Sequence, residues 1–282
     1  MSEQHQLCFL NGEMLALSTA KVSVLDRSFL FGDGVYEVIP VYDGQPFVLD
    51  THLQRLANSL SAVRMPCDFD FAGLVTRLIE ENGGGDMAIY IQVSRGAPKE
   101  RKHLIPADLE DTVFAMTQAF PAPSERAMKT GISAAICEDF RWQRCNIKAT
   151  SLLANVLLRQ QASDQDADEA ILERDGMITE GSSSSVFALI DGILRTPEDA
   201  PILLPGTTRD RVIDVACDLG IEVVSRGISK AELYLADEVW ISSALREVMP
   251  VTRLDGRAVG DGLPGPVWKK VYRAFQIAKR TC

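Results

Sequence analysis

Phe71-Ala-Gly-Leu-Val-Thr-Arg-Leu-Ile-Glu-Glu-Asn-Gly-Gly-Gly-Asp-Met-Ala-Ile-Tyr-Ile-Gln-Val-Ser94 passes from one kind of secondary structure to another. Phe71, Leu74, Val75 and Leu78 share one stripe of a helix over 71–81. Gly83-Gly84-Gly85 ends it. Met87–Ser94, rich in Ile, Val and aromatic character, predicts a strand. Towards the N-terminus, Leu53, Leu56, Leu60 and Val63 mark a second amphipathic helix over 51–63. Before it stand two hairpins, Leu7–Leu10 with Glu13–Leu17 on an Asn11-Gly12 turn, and Val35–Val41 with Pro46–Leu49 on Tyr42-Asp43-Gly44. Towards the C-terminus a strand at Thr112–Phe120 runs into Phe120-Pro-Ala-Pro-Ser-Glu125, whose prolines suit an extended connector. The expected organisation is a small domain over 1–120, a connector at 121–125 and a larger domain over 126–282. The latter holds a strand at Gly131–Cys137, a helix at Thr150–Ala162 and strands near Ala170–Glu173 and Met177–Thr179. An Asp191-Gly192 hairpin joins Val186–Ile190 to Ile193–Thr196, and helices follow at Thr208–Leu219 and Val267–Lys279. Strands and helices mix without βαβ alternation, which predicts an α+β fold with mixed or antiparallel sheets.

The 282 residues carry a net charge of −10, with 46% hydrophobic and 24% charged residues, a globular composition. The acidic balance argues against a nucleic-acid binder and against a polybasic membrane anchor. No run of 18 apolar residues predicts a membrane span. Met1-Ser-Glu-Gln-His-Gln lacks the basic and apolar regions of a signal peptide. The six cysteines have no CxxC spacing and read as reduced thiols of a cytoplasmic protein, Cys145 as a packing residue. Only nine of 29 basic residues are Lys and only three residues are His, so no metal is expected.

Three stretches stand out chemically. Lys148, in Arg144-Cys-Asn-Ile-Lys148-Ala-Thr-Ser, lies between Ile147 and Ala149 just before an apolar helix. The residues alone leave two readings: a lysine with buried stem and solvated head, or a desolvated amine nucleophile towards carbonyls. Thr179-Glu180-Gly-Ser-Ser-Ser-Ser185 is either a solvated Ser-rich loop or a short anchored loop presenting one carboxylate and several donors. Pro205-Gly206-Thr207-Thr208-Arg209-Asp210 is either an ordinary Thr-capped helix start or a phosphate seat of free N–H groups and hydroxyls. GxxxxGK[ST] and GxGxxG are both absent, which leaves ATP and dinucleotides without support. A carbonyl-reactive lysine, an acid and a phosphate seat together suit pyridoxal phosphate, which needs a Schiff-base lysine, an acidic partner for its ring nitrogen and an anion cup.

At these residues the chain resembles the class IV (fold type IV) pyridoxal-phosphate aminotransferases, and within them those acting on D-amino acids. The matching stretches are Asp26-Arg-Ser-Phe-Leu-Phe-Gly-Asp-Gly-Val-Tyr-Glu37, His52-Leu-Gln-Arg55-Leu, Tyr90-Ile-Gln-Val-Ser-Arg-Gly96, Arg141-Trp-Gln-Arg-Cys-Asn-Ile-Lys148, Thr179–Ser185 and Gly206-Thr-Thr-Arg209, in order through almost the whole chain. The resemblance implies the two-domain fold-type-IV architecture with its cofactor at the domain interface, and a homodimer. It implies Lys148 as the Schiff-base lysine and the base that moves the proton between Cα and C4′. Glu180 is implied as partner of the pyridine nitrogen, and Arg55, Gly206, Thr207, Thr208 and Ser243 as phosphate ligands. An Arg-x-His pair with the tyrosine of Gly-Val-Tyr-Glu implies Arg101, His103 and Tyr36 as the trap for the substrate α-carboxylate, which selects D over L substrates. The loop before Arg101 is one residue longer than the family pattern. Pro40 stands where relatives often carry lysine, and Ser243-Ala244-Leu245-Arg246 replaces a more hydroxyl-rich run. The implied activity is transamination between a D-amino acid, such as D-alanine or D-glutamate, and a 2-oxo acid. The rivals are a branched-chain L-amino-acid aminotransferase and an aminodeoxychorismate-type lyase.

Overall fold

The computed structural model describes residues 6–120 and 124–280. The contacts divide the chain into two units, one of residues 1–120 with 147–152 and one of 121–146 with 153–282. Most of the expected connector, residues 121–123, lies outside the described residues.

The first unit contains strands β1 (Leu7–Leu10) and β2 (Glu13–Ala16), helix α1 (Arg27–Phe31), strands β3 (Gly34–Tyr42) and β4 (Gln45–Pro46), helices α2 (Leu49–Ala62) and α3 (Phe71–Glu81), and strands β5 (Met87–Ser94) and β6 (Thr112–Ala119). Its sheet has the order β2-β1-β6-β5-β3-β4, with every pair antiparallel. The stripes read from the sequence are the buried ones: Leu56 and Leu60 of α2 and Leu74, Val75, Leu78 and Ile79 of α3 pack with Val35, Ile39, Ile89, Ile91 and Val93 of the sheet. The second expected hairpin shrinks, because β4 is two residues long and Val48, at φ 45°, turns the chain directly into α2.

The second unit contains α4 (Glu125–Thr130), β7 (Ile132–Glu138), α5 (Leu153–Ser163), β8 (Glu169–Arg174), β9 (Met177–Gly181), β10 (Ser185–Ile190) and β11 (Ile193–Thr196). It continues with α6 (Thr207–Asp218), β12 (Val223–Ser225), β13 (Ile228–Ser229), α7 (Lys230–Tyr234), β14 (Glu238–Ser243), β15 (Glu247–Leu254), β16 (Arg257–Ala258) and α8 (Pro266–Ala278). Its ten-stranded sheet runs β12-β11-β10-β14-β15-β7-β8-β9-β13, with β16 on β15. Three pairs are parallel, β11–β12, β15–β7 and β7–β8, so the sheet is mixed. Alternation along the strands buries both faces. Ala134, Ile171 and Ile178 join one core with Leu233 of α7, whereas Ala135, Cys137 and Leu172 join another with Leu158 and Ala162 of α5.

Two differences from the expected elements have physical causes. The helix expected from Thr150 starts at Leu153. Thr150 donates from its backbone N to Gly34 O (3.0 Å) and from Oγ1 to Gly32 O (3.1 Å), and Ser151 Oγ donates to Gly32 O (3.0 Å). Those bonds hold residues 147–152 on the first unit, outside the 126–282 division. Strands β14 and β15, inside the second sheet, are not announced by the sequence pattern. Pro250 argues locally against a strand interior, yet it pairs with Trp240, and the ladder to β7 begins one residue later at Val251.

Candidate functional site

In the first unit Lys148 is half-buried and lies beside β3. Its carbonyl accepts from Tyr36 N (2.9 Å), its own N donates to Ser59 Oγ (3.2 Å), and Ala149 bridges Val35. The side chain therefore leaves a rigid backbone. Its Nζ sits 4.2 Å from the centroid of the Tyr36 ring. Among the described residues no acceptor binds this Nζ, so the amine is held against an aromatic face with its donors uncommitted. Tyr36 in turn stacks on Tyr90 with centroids 5.7 Å apart.

The next residue on β3, Glu37, points to the opposite face and is wholly buried. It accepts from Arg55 Nε (2.9 Å) and Nη2 (2.6 Å), His52 Nδ1 (3.0 Å) and Val38 N (2.9 Å). Burial alone would push Glu37 up, but the Arg55 guanidinium and the His52 bond hold it well below the usual carboxylate range. Burial pushes His52 down, against the pull of Glu37, so His52 is neutral and donates from Nδ1. Arg55, an expected phosphate ligand, is thus oriented by a carboxylate that the sequence reading passed over.

Arg101 and His103 come together on one ring. The Arg101 Cζ lies 4.7 Å from the Phe31 centroid and the His103 ring 5.1 Å from it. Both residues are exposed. Among the described residues no hydrogen bond, ion pair or ring contact joins them to Tyr36, so the expected trio appears as two clusters.

In the second unit Glu180, the last but one residue of β9, is almost completely buried. Its Oε1 accepts from Arg141 Nη1 (2.5 Å) and its Oε2 from Leu204 N (3.1 Å). Arg141 is fixed by a fork onto Asp139, Nε to Oδ1 and Nη2 to Oδ2, both at 2.9 Å. Burial pushes the Glu180 carboxyl up, opposed by Arg141 and the Leu204 N–H. Against the penalty of burial, Asp139 and Glu180 keep Arg141 protonated. Arg141 lies within a stretch quoted for the resemblance, and Asp139 two residues before it is the local sign that its charge is internal.

The Ser-rich loop is the short anchored one of its two readings, not the solvated one. Ser182 Oγ donates to Glu169 Oε1 (2.5 Å) and Ser184 Oγ to Glu169 Oε2 (3.2 Å), because that fully buried carboxylate needs donors. Two of the four hydroxyls are therefore structural, and Asn155 pins the loop through the Ser182 carbonyl (2.8 Å). Gly206, Thr207 and Thr208 open α6, whose N-cap makes no side-chain cap bond, at the positive end of the helix dipole that favours an anion. A Cβ on Gly206 would stand 2.4 Å from Ser185 Oγ and 3.0 Å from Arg209 Cβ, so this turn lies close against the start of β10. Arg209, by contrast, is committed to Asp199 (2.7 Å) and Asp210 (2.9 Å). Ser243 Oγ accepts from Arg246 N (3.2 Å), and its buried neighbour Ser242 has an Oγ with no partner.

Cys145 is buried and gives its Sγ–H to Trp142 O (3.2 Å), and burial pushes its thiol up, as suits a packing residue. Among the described residues no group of His, Cys, Asp and Glu could hold a metal ion, and no helix is long and apolar enough to cross a membrane. An amine with free donors, a carboxylate fixed by an arginine, an uncapped helix start and an orphaned buried hydroxyl fit the functional groups of pyridoxal phosphate.

The comparisons agree with that donor set. The family model described as amino-transferase class IV matches residues 34–254. The chain is 40% identical over 270 residues to D-alanine aminotransferase of Bacillus licheniformis, covering 94% of each. The branched-chain amino acid aminotransferase of Escherichia coli superposes with a TM-score of 0.90 at 30% identity, covering 98% of this chain and 95% of that one. The branched-chain amino acid aminotransferase of Thermoproteus uzoniensis, solved with norvaline, gives 0.85 at 27% identity, over 97% of this chain and 95% of that one. A match running from β3, which carries Tyr36 and Glu37, through Lys148 and Glu180 to the end of β15 places the chain in the class IV aminotransferases.

Proposed function

We propose that this enzyme uses pyridoxal phosphate to exchange the amino group of a D-amino acid, of the D-alanine or D-glutamate type, with a 2-oxo acid by a ping-pong route. The observation that carries the D-selective assignment is the near full-length similarity to relatives named D-alanine aminotransferase, higher in identity than that to the branched-chain structures. Bound pyridoxal phosphate supplies an electron sink for the charge left when the substrate Cα–H bond breaks. Lys148 would hold the cofactor through Nζ and, as the basic amine beside it, would take up and return the substrate Cα proton. Its packing on Tyr36, with no competing acceptor, suits an amine that must alternate between bonding and proton transfer. Glu180 holds the pyridine nitrogen, and Arg141 and the Leu204 N–H keep that carboxylate from turning away. Arg55, the first turn of α6 at Gly206, Thr207 and Thr208, and Ser243 bind the phosphate. Arg101 binds the α-carboxylate as a bidentate fork, with His103 and Tyr36 as further donors.

A homodimer is part of this proposal. Leu153, Val156 and Leu157 lie on one face of α5, 71%, 61% and 52% exposed, and Phe140 and Trp142 are also more than half exposed. An apolar face of this kind suits a second copy of the chain. A cytoplasmic setting, with reduced cysteines, completes the proposal.

Purified protein should be yellow, and Lys148→Ala should abolish its visible band. With D-alanine and 2-oxoglutarate it should form pyruvate, and omission of the oxo acid should stop turnover. The branched-chain structures favour one other reading, which turnover of L-leucine or L-valine with none of D-alanine would establish instead. A colourless protein that ignores added cofactor would refute both.

A further inference from the structure

Arg27 is a buried arginine, 4% exposed, in the first turn of α1, and no role above uses it. Its side chain is spent in three directions. Nε donates to Asp33 Oδ2 (2.6 Å), Nη1 to the carbonyl of Lys102 (2.6 Å) and Nη2 to the carbonyl of His103 (3.3 Å). The acceptor Asp33 is itself anchored by Arg95, whose Nε and Nη2 reach it at 3.0 and 3.1 Å and whose other bonds end on the carbonyls of Arg64 and Val63. The Arg27 amide is tied to Gly96 O (2.9 Å), at the start of the segment that contains residues 101–103. The backbone of an exposed, highly charged loop is thus gripped near its middle by a guanidinium rooted in the interior of the first unit.

Phe31, one turn further along α1, does for the side chains what Arg27 does for the backbone. Its ring lies 4.7 Å from the Arg101 guanidinium and 5.1 Å from the His103 imidazole, while Arg27 lies 4.9 Å from the same centroid. An exposed arginine on a loop ordinarily samples many rotamers, and that freedom is lost again whenever it must bind a carboxylate. A ring that both side chains share removes much of that cost before the substrate arrives. A lysine at position 27 could not replace the device, because a point charge on a flexible stem cannot bond one carboxylate and two successive carbonyls at fixed angles.

We propose that Arg27 and Phe31 are positioning residues for substrate carboxylate recognition: they preset Arg101 and His103, and so govern affinity for the amino acid without touching it. This rests on the assignment of Arg101 and His103 as carboxylate ligands. The test uses holoenzyme of wild type, Arg27→Lys, Phe31→Leu, Phe31→Tyr and Arg101→Ala. Three quantities are measured: kcat and KM for D-alanine, the Kd of the unreactive 2-hydroxy acid (R)-2-hydroxypropanoate, and the Kd of pyridoxal phosphate. Arg27→Lys and Phe31→Leu should raise KM and the hydroxy-acid Kd together by roughly tenfold, with kcat and cofactor affinity within about twofold. Phe31→Tyr, which keeps an aromatic face, should restore wild-type values. An unchanged KM and hydroxy-acid Kd, or a fall in kcat as large as the rise in KM, overturns the proposal. Should Arg27→Lys not fold, the Phe31→Leu and Phe31→Tyr pair decides. If Arg101→Ala weakens carboxylate binding while Arg27→Lys and Phe31→Leu do not, the positioning role alone fails. If Arg101→Ala changes neither constant, the assignment of Arg101 fails instead.

Discussion

Replacing Glu37 by Gln tests how the Arg55 side chain is held. The carboxylate is fully buried and accepts four hydrogen bonds, two of them from the Arg55 guanidinium. An amide of the same shape keeps one acceptor oxygen and turns an NH2 towards a donor, so at least one Arg55 N–H loses its partner and the guanidinium loses its counter-charge. Removing one partner of a buried pair costs about 3–5 kcal/mol, a large fraction of a domain stability of about 5–15 kcal/mol. Urea unfolding of the apo protein should show that loss in the first unit. All three tryptophans (Trp142, Trp240 and Trp268) lie in the second unit, so far-UV circular dichroism rather than tryptophan emission must follow it. Adding Arg55→Met removes the stranded charge and should recover more than about 1 kcal/mol. A Glu37→Gln loss below about 1 kcal/mol, outside the range for a broken buried pair, would refute the view that Glu37 holds Arg55, as would a double variant no more stable than the single one.

Three further outcomes follow from the same contacts. Arg141→Lys keeps a charge but cannot fork onto Asp139 while reaching Glu180, so kcat should fall by roughly 10- to 100-fold with a shifted cofactor absorption band; an unshifted band with unchanged kcat would count against the role given to Arg141. Ser242→Ala removes an unpartnered buried hydroxyl, and apo-protein melts should show stability unchanged or raised by about 1 kcal/mol; a loss of that size would show that the hydroxyl has a partner. Acid should destabilise the fold in two stages: His52, its affinity for protons lowered by folding, contributes stability that is present above its ordinary value of 6.5 and lost as pH falls. Asp33, Glu37 and Asp139, also lowered, contribute stability present above their ordinary values of 3.8, 4.5 and 3.8 and lost as pH falls through the lower folded values. Glu180, pushed up, works in the opposite sense, so urea midpoints taken from pH 8 to pH 3 should decline gently below 6.5 and steeply below 4.5; a midpoint that rises on acidification would contradict these assignments.

Local context made Lys148 and Glu180 legible. A lysine between two apolar residues and an acid at the head of a serine run are odd over a few positions, and oddness over a few positions is what a sequence displays. Partners that orient site residues are far along the chain: Arg141 lies 39 residues from Glu180, and Glu37 lies 18 residues from the Arg55 it holds. Nothing near Glu37 distinguishes it from the polar residue of an alternating strand until α2 is laid over its face. Of the two readings of the Ser-rich loop, the short anchored one holds, but that Ser182 and Ser184 serve Glu169 was hidden for the same reason, since Glu169 lies 13 residues before Ser182. Helix periodicity survived well, with Phe71–Glu81 found over the expected residues. Strands β14 and β15 escaped because their polar ends, Glu238 and Glu247, are buried by tertiary partners: Trp240 Nε1 and the N–H groups of Val267 and Trp268 for one, Gln276 and Lys279 for the other.

The excess of arginine over lysine acquires a physical meaning from these contacts. Twenty of the 29 basic residues are Arg. Many of them close on buried or half-buried carboxylates: Arg27 and Arg95 on Asp33, Arg55 on Glu37, Arg141 on Asp139 and Glu180, Arg246 on Glu169. A planar fork suits this work because it satisfies two oxygens, or an oxygen and a carbonyl, at fixed angles and cannot lose its proton. The amine of a lysine can pair with a carboxylate, as Lys279 does with Glu247, but it can also lose its proton and bond to carbon, a reaction closed to a guanidinium. Guanidinium groups that hold the acids therefore leave Lys148 with an aromatic neighbour instead of a carboxylate. Its Nζ thus has no acceptor among the described residues and rests on the Tyr36 ring, so no ion pair has to break before the amine bonds to carbon.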